Sequence, residues 1–138
     1  MALAPEGSEL WLDGGHNPDG GRAVAAALAD LEERVSRPLL LIVGMLSTKD
    51  AEGFLRNFSG LARRIIAVPI AGQEKAIPAP ALADTVRRVG IPADHCDGIE
   101  AALALATRYG LDPPPRILIT GSLYLAGEVL ALNDTPPN

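Results

Sequence analysis

The sequence predicts an α/β protein with a Rossmann-like open, mostly parallel sheet and helices on both faces. Short apolar runs without polar alternation recur along the chain, as strands buried on both faces require. Segments whose apolar residues repeat with the helical period lie between them. The two kinds alternate, which is the order of successive β-α units around a parallel sheet.

Leu10-Trp11-Leu12 reads as the first strand, and Val24, Ala27, Leu28, Leu31 and Val35 mark the inner face of the helix after it. Leu39-Leu40-Leu41-Ile42-Val43 is a continuously apolar second strand. Phe54, Leu55, Phe58, Leu61 and Ala62 then predict a second helix, and Ile65-Ile66-Ala67-Val68 a third strand. A shorter helix over about 80–89 and a weak strand through 94–97 follow. The fourth helix shows Ile99, Ala102, Leu103, Ala106 and Tyr109 at helical spacing. Ile117-Leu118-Ile119 is the fifth strand, and a last helix runs over about 122–132. "AGQEKAIPAP" and "LDPPPR" read as linkers, and "NDTPPN" as a frayed tail, because proline lacks the helix's backbone donor. There is no internal repeat and no low-complexity block.

Composition fits one globular domain over 1–138, since 48% of the residues are apolar and 21% charged. A disordered tail or a fibre is excluded. The formal charge of −5 argues against nucleic acid or an anionic membrane as partner, because both need clustered cations. The pairs Arg63-Arg64 and Arg87-Arg88 are expected at solvated edges. Cys96, the single cysteine, excludes an internal disulfide and leaves no zinc site of familiar spacing. With no signal peptide and no apolar run near the ~20 residues of a membrane helix, a cytoplasmic protein is expected.

The stretch "WLDGGHNPDGG" joins the first strand to the first helix, at the carboxyl edge where open α/β sheets bind ligands. Asn17 suits the N-cap, Pro18 the first helical position, and Asp19 the positive end of the helix dipole. Capping does not account for Asp13 and His16. An aspartate directly after a strand can accept two ribose hydroxyl hydrogens or cap its own turn, and spacing leaves both open. His16 stands at the mouth of the same crevice. Two further stretches end at that edge, "GMLSTKD" and "TGSLYLAGE". In the second, Gly121 permits close backbone approach, and Ser122 opens a helix where a carboxylate or phosphate fits, or where it serves as an ordinary cap. Lys49 and Asp50 read as a solvated loop pair.

"LDGGHNP", "GMLSTKD" and "TGSLYLAGEV", in this order and separation, resemble the carboxyl-terminal domain of folylpolyglutamate synthase/dihydrofolate synthase, in the Mur ligase superfamily. The similarity runs from about 10 to 132, and "GSLYL" sets the folate branch apart from the peptidoglycan ligases. Gly15 stands where alanine or another small residue is usual. The resemblance implies ligation of L-glutamate to dihydropteroate or folate with ATP and magnesium, through an acyl phosphate, with a carbamylated lysine often present in the other domain. It also implies that Asp13 contacts ATP, that His16 lies at the reaction centre and the glutamate, that Ser122 belongs to the glutamate pocket, and that this domain holds no metal.

No G-x-x-x-x-G-K-S/T motif occurs, so the phosphate cradle of such a ligase is missing from these residues. The resemblance places it in a preceding ATPase domain, the expected partner of this one. Alone, the chain is expected to be inactive, contributing closure and alignment of the glutamate amine. A non-catalytic Rossmann-like binding module and the matching domain of a cell-wall Mur ligase are the alternatives.

Overall fold

Strands and helices alternate throughout residues 5–133, the part of the chain that the computed structural model describes. They are β1 (Glu9–Leu12), α1 (Pro18–Arg34), β2 (Leu39–Val43), α2 (Ala51–Arg56), β3 (Arg64–Ala67), α3 (Ala79–Arg88), β4 (Ala93–His95), α4 (Ile99–Arg108), β5 (Arg116–Thr120) and α5 (Leu123–Asn133). Apart from Asn133, the expected frayed tail lies outside the described residues.

The five strands form one sheet in the order β1, β5, β2, β3, β4, and every pairing is parallel. The expected open α/β architecture is what the chain adopts. Odd and even residues of β2 go to opposite faces, as the pleat requires. Leu39, Leu41 and Val43 join the core under α1, α2 and α3, whereas Leu40 and Ile42 join the core under α4 and α5. Right-handed crossovers account for this split. From β1 to β4 the chain advances across the sheet with its helices on one face, and the return from β4 to β5 puts α4 on the other. Because β5 sits between β1 and β2, α5 leaves one face of the sheet while α1 and α2 leave the other. That divergence opens a crevice at the carboxyl ends of these strands.

Residues 54–62 depart from the expected helix. Phe54, Leu55 and Phe58 are buried as the period requires, and the rings of Phe54 and Phe58 meet edge to face at 5.5 Å. The helix nevertheless stops at Arg56. The Asn57 amide donates to the carbonyls of Gly53 and Phe54, and Gly60 at φ +79° turns the chain toward β3. β4 lies slightly earlier than the expected 94–97, and its residue Asp94 binds Arg64 and the Tyr109 hydroxyl. Arg87 and Arg88 are exposed, as expected of solvated edges, with Arg87 meeting Asp84 at 3.0 Å and the Ala93 carbonyl at 2.9 Å, whereas Arg64 is half-buried and meets Asp94 at 3.1 Å. Arg63 is exposed.

At the amino end of the sheet Arg116 is 2% exposed. Its guanidinium meets Glu9 at 2.9 Å and Glu32 at 3.8 Å and donates to the Val35 carbonyl, tying β5 to β1 and to the end of α1. No described helix is long and apolar enough to cross a membrane.

Candidate functional site

Three loops meet at the crevice, following β1, β5 and β2. The first is pinned to the second through its backbone: the Gly15 carbonyl accepts from the Gly121 N–H at 2.9 Å and from the Thr120 hydroxyl at 3.5 Å. Beyond it Asn17 caps α1, its Oδ1 accepting from the Gly20 N–H at 2.7 Å, with Pro18 in the first turn as expected. His16 is thus held between a clamped carbonyl and a capped helix. Its Nδ1 is buried and has no hydrogen-bond partner.

Gly121 has φ +106°, a conformation glycine tolerates without strain. A Cβ there would lie 2.5 Å from the Gly44 carbonyl oxygen and 2.9 Å from Met45. This glycine therefore lets the β5 turn pack against the β2 turn, and the close approach it permits is to protein backbone. Ser122 follows it, 3% exposed. Its Oγ accepts from the Tyr124 N–H at 3.0 Å and its carbonyl from the Ala126 N–H, so it caps α5. Capping uses the oxygen's lone pair and leaves the hydroxyl hydrogen for another acceptor.

His16, Leu46, Thr48, Lys49, Gly121, Ser122, Leu123 and Tyr124 enclose a cavity of about 260 Å³. Its lining carries an imidazole, the hydroxyls of Thr48 and Ser122 and an ammonium, together with Leu46, Leu123 and Tyr124. Drug-sized ligands occupy roughly 300–1,000 Å³, so this space suits an amino acid or small carboxylate better than a whole nucleotide. Asp13 lies outside it. The Asp13 carboxylate folds back on its own loop, Oδ2 accepting from the Gly15 N–H at 2.8 Å, while Oδ1 has no partner among the described residues. Gly15 permits this, because a Cβ there would stand 2.6 Å from that oxygen.

Lys49 and Asp50 are both exposed, as the solvated-pair reading expects, and each also has a place in the structure. Asp50 caps α2, Oδ1 accepting from the Gly53 N–H at 2.9 Å, and Lys49, exposed and without an ion pair among the described residues, lines the cavity. Among the described residues no three His, Cys, Asp or Glu side chains converge as metal ligands would.

Residues 2–123 match the family Mur ligase, glutamate ligase domain. The chain belongs to this family. A folylpolyglutamate synthase of Lacticaseibacillus casei is 34% identical over 124 residues, which are 87% of this chain and 26% of the relative. A Mycobacterium tuberculosis folylpolyglutamate synthase solved with ADP and AMPPCP superposes with a TM-score of 0.78 at 26% identity, covering 94% of this chain and 30% of that one. A bifunctional folylpolyglutamate synthase/dihydrofolate synthase with Mn, AMPPNP and L-glutamate bound gives a TM-score of 0.76 at 26% identity, over 91% and 29% of the two chains. This Mur ligase domain therefore spans about a quarter to a third of the relatives it matches.

Within the Mur ligase domain, the fold brings His16 and Ser122 to one cavity and leaves Asp13 beside it. Thr48, Lys49 and Tyr124 join them. The signal for His16 and Ser122 was present in the sequence, as polar residues shortly after an apolar strand, the edge strand β1 for His16 and the fully buried β5 for Ser122, and the order of strands was needed to use it.

A second polar cluster lies apart from this cavity, where Arg64 stacks over the Tyr109 ring at 5.3 Å. Burial, reinforced by the hydrogen bond to Asp94, pushes the Tyr109 phenol far above its usual range, and burial likewise raises the Cys96 thiol. Neither group lines the cavity.

Proposed function

We propose that the chain is the carboxyl-terminal domain of an ATP-dependent ligase that joins L-glutamate to dihydropteroate or folate through an acyl phosphate. One observation carries this reading: His16, Thr48, Lys49 and Ser122 converge on an amino-acid-sized cavity at the point where the helices diverge, in a Mur ligase domain. Glutamate has two carboxylates on a short apolar stem. The cavity offers Lys49 and the free Ser122 hydroxyl hydrogen to a carboxylate, and Leu46, Leu123 and Tyr124 to the stem. In the reaction the glutamate nitrogen bonds the acyl carbon, the carbon–oxygen bond to phosphate breaks, and the amine loses a proton. This domain's part is to hold that nitrogen in line, which is catalysis by positioning.

ATP and the divalent cation, magnesium in our reading, are assigned mainly to a preceding ATPase domain. Asp13 reaches the nucleotide from this side, since Oδ1 is free beyond the loop and chemically suited to a ribose hydroxyl. The cytoplasm is the compartment we assign to the enzyme.

Grafting this chain in place of the matching region of the Lacticaseibacillus casei relative tests the proposal. ATP consumption that depends on both a folate substrate and L-glutamate is expected, and it should be lost in His16→Ala and Ser122→Ala grafts. A folded graft indifferent to glutamate, or one accepting a different amino acid in its place, overturns it.

A further inference from the structure

The two nitrogens of His16 stand in different surroundings. Nδ1 is sealed from solvent with no donor or acceptor in reach. Nε2 makes no hydrogen bond either, yet it is not among the buried unpartnered atoms, so it is the accessible nitrogen of a ring that lines the cavity. A neutral imidazole carries its proton on one nitrogen, and the neighbours decide which. A proton on Nδ1 would be an orphaned buried N–H, the rarer and costlier defect, whereas an orphaned lone pair is better tolerated.

We infer that His16 carries its proton on Nε2 and presents it to the cavity as a hydrogen-bond donor for an anionic oxygen of the ligand. The inference deepens the reading of the cavity as a carboxylate site and rests on it for the ligand. It also fixes a direction: in this tautomer Nε2 has no lone pair, so His16 does not take the proton the glutamate nitrogen sheds. It orients an oxygen that faces it, beside the Ser122 hydroxyl and the Lys49 ammonium.

The chain has two histidines, so nitrogen NMR of the labelled 138-residue protein can resolve both rings. His95 is exposed on β4 and absent from the cavity lining, and a His95→Gln variant therefore assigns the His16 signals. Measured on the basic side of the ordinary imidazole range, His16 should show a protonated Nε2 and a bare Nδ1, while His95 shows the mixture of an exposed ring. Addition of L-glutamate should shift His16 Nε2 and leave His95 unmoved. A protonated Nδ1, or rapid averaging of the two tautomers at His16, overturns the inference. If the tautomer is as stated but glutamate moves nothing, the donor assignment is supported and the glutamate reading of the cavity fails.

Discussion

Ser122 does two jobs with one oxygen. Its lone pair caps α5 and its hydrogen is free for the cavity, so Ser122→Ala would mix a folding effect with a binding effect. Glycine separates them. At an N-cap glycine is only a few tenths of a kcal/mol worse than serine, whereas alanine costs about 0.5–2 kcal/mol. In a full-length ligase Ser122→Gly should therefore raise the KM for glutamate several-fold while the melting temperature falls little. The KM for ATP should hold, since Asp13 is the residue we assign to the nucleotide. Unchanged glutamate saturation in the glycine variant would show a cap and nothing more. The sequence left open whether Ser122 and Asp13 were caps or ligand groups because spacing does not report which lone pair is used. The structure assigns the cap to the Ser122 lone pair and to one Asp13 oxygen, and it leaves the Ser122 hydrogen and Asp13 Oδ1 over. Lys49 is exposed as expected, but its place on the cavity was not legible, since a loop lysine gives no sign of which cavity it lines.

At the scale of elements, the joint between β1, β5 and α1 sets how stability responds to acid. Hydrogen bonding by Arg116, first among the causes, holds the Glu9 carboxyl below the usual glutamate range. The Ser36 hydroxyl, then the Arg37 backbone N–H, does the same for Glu32. Both folded-state values are depressed, so the unfolded chain binds more protons as pH falls, and the stabilisation, complete above the ordinary glutamate range near about 4.3, is lost below it. Protonating Glu9 also leaves Arg116 buried with a weaker partner. Urea midpoints should therefore drop more steeply on acidification in the native protein than in Glu9→Gln, which already lacks the charge. Parallel acid limbs in the two proteins would remove Glu9 from this account. None of the network was legible in the sequence, because Glu9, Glu32 and Arg116 are brought together only by sheet order. The elements themselves were legible from period and turn residues. The exception was the end of α2, where the Asn57 amide competes for carbonyls that the apolar period assigns to a longer helix.

For the molecule as a whole, the alternation of elements indicated a parallel sheet but not its order, since no local signal says that β5 enters between β1 and β2. That insertion creates the cavity. It also leaves β1 at an edge, with Leu10, Trp11 and Leu12 between 37% and 44% exposed. Both faces of the sheet are nonetheless covered within residues 5–133, by α1 to α3 on one side and by α4 and α5 on the other. Two closed apolar layers with mainly long-range pairing should unfold together. Trp11, the single tryptophan and 44% exposed on the edge strand, reports the sheet, while circular dichroism reports the helices. The isolated 138-residue chain is expected to give coincident urea transitions by the two probes and, lacking a phosphate-binding G-x-x-x-x-G-K-S/T loop, no ATP hydrolysis above the buffer rate. Separate transitions would mean that the β1 edge needs a covering partner to hold its place. ATP turnover that co-purifies with the folded chain and vanishes in Asp13→Ala would place phosphoryl chemistry in this domain and refute its assignment as a positioning half.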